Sequence, residues 1–465
     1  MTSATSSLPG RHGVPRPRGP RALGILGAAV VLVATTYLVG VVRPAATTSP
    51  ARLVDPTTID GNGGAAALIG ASTAQIDQAV RVWSANLARE PRDFISATTL
   101  ASLYYSRGRL SGDLADEQKA LQFAQTAVAT APTEPGGRAL ESAILYYLHD
   151  FAGAQAKAAA LYRDDPSQLG ALATMADATL ELGDIAGARA DYDQLSRLAT
   201  GTAVDIRLAR LAFVTGHAAD ALGLAIRARD EATRDLAAGG SDDLGFYQYA
   251  VGEYARTAGD ATTARAGFEA ALALRATDLG ALVGLARIDA FGGDSASAIA
   301  ELGKAVAIAP QPETVGLLGD LLARSGDASG AAKQFATVRF IEKLGEIGST
   351  VYDRVILRFE LDHGGATEAL LAKAQASLAA RPDYTGHDTV AWALYRLGRY
   401  DEAAAQVAAA EVNGAGDARL LFHKGAIEVA QGRTDVGRAD LQRALALGPA
   451  IDPNERAEAT LLLKQ

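Results

Sequence analysis

The chain has no cysteine. That absence removes disulfide staples, thiolate metal sites and cysteine nucleophiles, and leaves the redox compartment open. Aromatic residues make up only 6% of the 465 residues, and β-branched residues do not alternate with polar ones over any long stretch. A sheet-rich fold is therefore disfavoured, whereas abundant Ala and Leu with 48 Gly favour helices packed through small residues. No HExxH spacing, phosphate-binding loop, GxSxG elbow or paired metal-ligand cluster is present. Of the six histidines, His149, His217 and His363 fall at inter-helix turns. His387 and His423 lie about one repeat apart without a further ligand, so solvated or cap-forming roles are expected for them. Asp164-Asp165 and Asp242-Asp243 read as turn and helix-start residues. No enzyme, no cofactor and no metal site is expected.

Acidic residues are missing from residues 1–43, which carry Arg11, Arg16, Arg18, Arg21 and Arg43 for a local charge of +5, while the remainder carries −14. An acidic body repels a phosphate backbone, so no nucleic-acid partner is expected. Residues 1–21, rich in Pro, Gly, Ser and Arg, read as a disordered basic tail. Residues 22–42 contain no charge at all; as a helix they would span roughly 30 Å, the thickness of a bilayer core. The run is longer than the apolar segment of a signal peptide, and Val42-Arg43-Pro44-Ala45-Ala46 is a poor cleavage site, so an uncleaved signal anchor is favoured over a cleaved one. Four arginines precede it, which places the N-terminus in the cytoplasm and the body outside. Residues 43–71 read as a flexible linker with no charge run.

From Ser72 onward the chain is too long for one compact core and repeats itself. Ser72 and Gln75 form a capping box before a stripe of Ile76, Ala79, Val80, Trp83 and Leu87 that stops at Pro91. A turn position then recurs at Gly108, His149, Gly183, Gly216, Gly259, Gly293, Gly326, Gly364, Gly398 and Gly432, with spacings of 41, 34, 33, 43, 34, 33, 38, 34 and 34. The long spacings place insertions near Ser111–Gln118, Ala237–Asp243 and Glu342–Ser349. Small residues recur before each turn (Ala101, Ser142, Ala176, Ala209, Gly252, Ala286, Gly319, Ala391 and Gly425), with Leu357 the exception in the eighth unit. Ala188, Ala221, Ala264, Ala298, Ala331, Ala369 and Ala403 follow five residues after the turn. Tyr192, Phe268, Leu302, Phe335 and Leu441 come next, with closing prolines at Pro132, Pro310, Pro382 and Pro449.

This grammar resembles the tetratricopeptide repeat. The resemblance implies an all-α helix–turn–helix solenoid of about ten units over residues 72–465, free of sheet, with a capping helix near Asn454–Leu463. It also implies that positions 2, 5, 9 and 12 of each first helix line a concave groove. Carried onto this sequence, those positions give Tyr105, Tyr146, Arg210 and Phe213, then Phe246, Tyr249, Glu253 and Arg256, then Arg287, Arg354 and Arg358, and finally Trp392 and Tyr395. Aromatics and arginines are the residue types of binding hot spots, so the expected partner is another protein or an extended peptide. The lysine–asparagine pair with which some co-chaperones of this family grip a carboxylate terminus is lacking. A glycan-binding envelope scaffold, or a frame subunit of an envelope enzyme, is the alternative.

Overall fold

A computed structural model describes residues 51–52, 73–111, 113–238, 243–345, 353–412 and 416–464. The basic tail, the apolar run 22–42, most of the linker and the capping residue Ser72 lie outside the described residues. Among the described residues no helix is long and apolar enough to cross a membrane.

The described residues open with a two-residue strand, β1 (Ala51–Arg52), and a lone helix, α1 (Thr73–Arg89). Ten helix pairs follow. Units one to three are α2 (Phe94–Ser111) with α3 (Leu114–Thr130), α4 (Pro135–Tyr147) with α5 (Phe151–Asp164), and α6 (Leu169–Glu181) with α7 (Ile185–Leu198). A second short strand, β2 (Ala199–Thr200), leads to unit four, α8 (Thr202–Val214) with α9 (Ala218–Ala237). Units five to seven are α10 (Leu244–Thr257) with α11 (Ala261–Leu274), α12 (Leu279–Gly292) with α13 (Ser295–Ile308), and α14 (Pro312–Arg324) with α15 (Ala328–Gly345). Units eight to ten are α16 (Asp353–His363) with α17 (Glu368–Ala380), α18 (Tyr384–Arg396) with α19 (Tyr400–Glu411), and α20 (Ala418–Ala430) with α21 (Thr434–Ala446). A 3₁₀ turn (Gly448–Ala450) and α22 (Pro453–Leu462) close the chain. The architecture is thus an all-helical, tetratricopeptide-like solenoid with 22 α-helices among the described residues.

Two local devices make the turn inside a unit. The residue at the turn takes a left-handed conformation, at Gly183 (φ 84), Gly216 (φ 80), Gly259 (φ 84), Gly293 (φ 90), Gly326 (φ 92), Gly398 (φ 76) and Gly432 (φ 80). In five units an aspartate follows and caps the second helix: Asp150, Asp184, Asp260, Asp294 and Asp327 each accept from a backbone N–H three residues on, at 2.8–3.0 Å. His149 occupies the left-handed turn with φ 61, the one non-glycine to do so among the described residues. Its ring stacks on Phe151, which offsets the strain.

Between helices the small residues allow close approach. Ala101, Ala176, Ala209, Ala286 and Ala391 are wholly buried. The Phe268 ring lies across Gly252 and Gly284, and a Cβ on either would collide with it.

Several expectations need correction. Gly108 sits inside α2, which runs on to Ser111, so the first turn comes after Ser111 and before Leu114. In unit eight the left-handed glycine is Gly365 (φ 83), not Gly364. Consequently Ala369 is exposed and Leu371 is buried against the core in its stead. Part of each insertion extends a helix: α2, α9 and α15 reach 18, 20 and 18 residues, because Ala, Leu, Arg and Glu are good helix formers. Residues 112, 239–242 and 346–352, in or beside the insertions, lie outside the described residues. The body is not wholly free of strand pairing, since Ala51–Arg52 of the linker pairs in parallel with Ala199–Thr200.

The superhelix returns on itself five units along. Gly183 of unit three meets the Pro382 carbonyl between units eight and nine, where a side chain would clash. Tyr384 packs into the unit-three core around Leu172 and Tyr192, and the Arg381 guanidinium lies 5.5 Å from the Phe151 ring of unit two. Gly259 of unit five likewise touches Leu447 after unit ten.

Candidate functional site

The residues expected to line a groove are divided by what packs against them.

Four of them are core or framework residues. Tyr105 is 2% exposed. It packs edge-on against Tyr147, and its hydroxyl accepts from Arg109 at 3.3 Å. Trp392 is 2% exposed, sandwiched between Tyr395 and His423, with Nε1–H donating to Asp362 at 2.8 Å. Arg354 is 5% exposed. It donates to both oxygens of Asp383 (2.6 and 2.7 Å), to Ser377 Oγ (3.1 Å) and to the Arg381 carbonyl (2.5 Å). Arg256 is 9% exposed, gripping Glu253 with two nitrogens and donating to the Pro449 carbonyl at 3.0 Å. Their large rings and forked donors, read as tools for a partner, instead lock neighbouring units together. His423 also departs from expectation: it is buried, with Nδ1 2.7 Å from Asp388. His363 bridges to Asp320 at 2.7 Å; burial opposes its protonation, but the Asp320 carboxylate outweighs burial and raises its pKa.

The remaining nine are half-buried. Tyr146 leans on Phe151, Phe213 on Tyr254, Phe246 on Tyr247 and Tyr249 on Phe268, at centroid distances of 5.1–6.1 Å. Glu253 pairs with Arg256, Arg210 with Glu181 (3.1 Å), and Arg287 with both Glu313 (3.0 Å) and Asp452. Tyr395 stacks on Trp392. Arg358 makes no hydrogen bond or ion pair to any described residue.

Two different environments result. Where units five and six face the end of the chain, the segment Leu447–Glu455 fills the inner face. Asp452 pairs with Arg287 and Arg419, Glu455 pairs with Arg419 (2.6 Å), and Arg456 donates to the Phe291 carbonyl at 2.9 Å. Burial works to raise the Asp452 pKa, but Arg287, Arg419 and Arg256 hold it well below the usual carboxylate range. The expected capping helix is therefore more than a cap, because it ties unit ten to unit six.

Where units two to four face units eight and nine, the inner face keeps a cavity of about 170 Å³, lined among others by His149, Glu181, Arg210, Arg358, Arg381 and Tyr384. Burial, and then repulsion by Arg354, lower the Arg381 pKa. Burial, and then Arg381, lower that of His149.

Sequence reasoning missed Glu181, Arg381, Asp383, Asp452 and Glu455. The Asp452–Glu455 capping box was visible as a helix start, but nothing local tells that its carboxylates reach across the superhelix. Among the described residues no group of three His, Asp or Glu could hold a metal ion.

No protein-family model matches the chain, and no curated protein matches it. Solved structures do. The human IFIT1 dimer with m7Gppp-AAAA is 16% identical over 85% of this chain and 91% of that one, with a TM-score of 0.46. PilW, a widely conserved type IV pilus biogenesis factor, is 17% identical over 48% of this chain and 98% of that one, with a TM-score of 0.37. A tetratricopeptide repeat protein from Parabacteroides merdae is 16% identical over 57% and 97%, with a TM-score of 0.31. These values are low, and the helix-pair architecture rests on the turn and cap geometry described above.

Proposed function

We propose that the chain is a membrane-anchored, extracytoplasmic adaptor that holds another protein, or an extended peptide, against the inner face of its superhelix. The observation that carries this reading is the inner face of units two to four. There Tyr146, Arg210 and Phe213 remain half-buried and water-accessible, whereas the corresponding face of units five and six is filled by the chain's own C-terminal segment. Rigid rings and a guanidinium left accessible on a pre-formed concave wall are well suited to bury a partner, because little conformational freedom is lost on binding. A glycan-binding scaffold is less well supported, since the inner aromatics lean on or stack against one another instead of lying flat and open.

Anchoring is supported by the uncharged run 22–42 and the four arginines before it. Protease added to spheroplasts should digest the repeat body while the undigested protein pellets with membranes. Protection until detergent is added would reverse the orientation. An N-terminus beginning beyond Val42 would make the run a cleaved signal. Val31→Arg, placing a charge at the middle of the span, should release the protein from the membrane pellet.

Capture of partners from solubilised membranes tests the groove. A Tyr146→Ala, Phe213→Ala double change should weaken capture by about 2 kcal/mol or more with helicity unchanged; undiminished capture would exclude this face.

A further inference from the structure

The cavity between units two to four and units eight and nine has an unbalanced lining. Three carboxylates face it, and each is matched: Glu181 with Arg210 (3.1 Å), Asp353 with Arg381 (3.1 Å) and Asp383 with Arg354 (2.6 Å). Four guanidiniums face it, and the fourth, Arg358, has no carboxylate within ion-pair distance among the described residues. The acids that attract Arg358 from farther off are Glu313, Asp388 and Glu455. Each of these already has its own partner, in Arg287, His423 and Arg419 respectively. Arg419 repels Arg358 in turn.

A half-buried guanidinium whose five N–H donors meet no described residue is costly, because it has lost part of its hydration without a replacement. Arg358 nevertheless stays protonated at any physiological pH. Arg381, which lines the same cavity, gives only Nη2 to Asp353 among the described residues, leaving further donors. The space is small: about 170 Å³ suits a few waters or one compact ligand, and is below the roughly 300 Å³ or more of sites for drug-sized molecules.

We propose that this cavity is a binding site for a small anion carrying a phosphate or carboxylate group, with the Arg358 fork as its main contact and Arg381 and Arg210 as flanking donors. The site joins two turns of the superhelix, Arg210 coming from unit four and Arg358 and Arg381 from unit eight. A bound anion therefore ties those turns together and stiffens the array. This is a small-molecule site that shares Arg210 with the partner-binding reading, but its main contact is Arg358, so it stands or falls without that reading.

The test uses the purified full-length chain. Its thermal midpoint is measured with inorganic phosphate, with succinate and with sodium chloride at matched ionic strength, and affinity is measured by calorimetry with the same probes. Phosphate or succinate should raise the midpoint by a few degrees over chloride, and whichever does so identifies the class. Arg358→Gln should lower that affinity at least about tenfold, in line with loss of a charge-assisted fork, while Arg358→Lys keeps part of it. Without added anion, Arg358→Gln should melt no lower than the parent. Three results would each overturn the proposal: no midpoint rise over chloride with either probe, an equal rise in parent and Arg358→Gln, or a marked midpoint loss in anion-free Arg358→Gln. The last would mean that Arg358 already has a partner in the folded chain.

Discussion

Arg354 and Arg358 stand one helical turn apart on α16, and both were expected to face a groove, yet they end in opposite states. Arg354 is enclosed by Asp383, Ser377 and the Arg381 carbonyl, while Arg358 looks into open space. The same contrast holds between the two ends of the inner face. At units five and six, Arg287 is met by Asp452 from the C-terminal segment, while Arg256 pairs with Glu253 and donates to the Pro449 carbonyl; at units two to four and eight to nine, Arg358 has no ion-pair partner among the described residues. An arginine on the inner face is thus neither a binding residue nor a framework residue by its position in the repeat. What decides is whether a carboxylate reaches it, from its own helix as Glu253 does, from a neighbouring unit as Glu181 and Asp383 do, or from the C-terminal segment as Asp452 does.

The strongest way to break this comparison is Arg354→Gln. It leaves half-buried Asp383 without its ion-pair partner and Ser377 and the Arg381 carbonyl without a donor, and should destabilise the chain by about 3 kcal/mol in chemical denaturation. A loss no larger than that of Arg358→Gln would erase the distinction drawn here.

Asp452→Asn comes next. It removes the carboxylate shared by Arg287 and Arg419 and should cost about 2–3 kcal/mol. The loss should show as faster hydrogen exchange in α22 and at Phe291–Asp294, with the other turns unchanged. Because the Asp452 pKa is depressed in the folded chain, its contribution is present above the ordinary carboxylate range and is lost as pH falls below it. The parent should therefore loosen at this junction in acid, and the variant should not change there.

A third effect lies outside both regions. Glu117 on α3 is buried with neither oxygen hydrogen-bonded to a described residue, and burial pushes its pKa up to about 8. A raised folded-state pKa means that the folded chain holds the proton more tightly. Stability is therefore greatest below the unfolded value near 4.5 and falls as pH rises through about 8. Glu117→Gln should flatten that decline and stabilise the chain at pH 8 by on the order of 2 kcal/mol; an unchanged pH profile would place the carboxyl in contact with water.

The smallest expected effect sharpens the comparison most. Arg358→Gln in anion-free buffer should shift stability by less than about 0.5 kcal/mol, or slightly upward, since no formed ion pair is lost.

Much of the fold could be read locally because each repeat builds its turn from its own residues. Gly183 followed by Asp184, or Gly293 followed by Asp294, specifies a left-handed turn and an N-cap without reference to anything distant. Where the local signal was weak, the reading slipped: Gly108 is absorbed into α2, and unit eight starts its second helix late, after Gly365 and Thr367. The groove was far less legible. Trp392 and Tyr105 carry the residue types of hot spots, but their burial depends on which ring or helix lies opposite, as His423 and Tyr147 show.

By itself, then, the sequence determined an all-helical array of about ten helix pairs, the place of nearly every turn, and the small residues that let helices approach. Those features depend on φ preference, capping and volume within some thirty-four residues. Only the tertiary structure decided that the superhelix closes on itself from unit three to unit nine and from unit five to the C-terminal helix. That closure depends on small rotations summed over many interfaces, which no single repeat records. It places Pro382 on Gly183, Asp452 on Arg287 and no described carboxylate within ion-pair reach of Arg358, and so separates the filled part of the inner face from the open one.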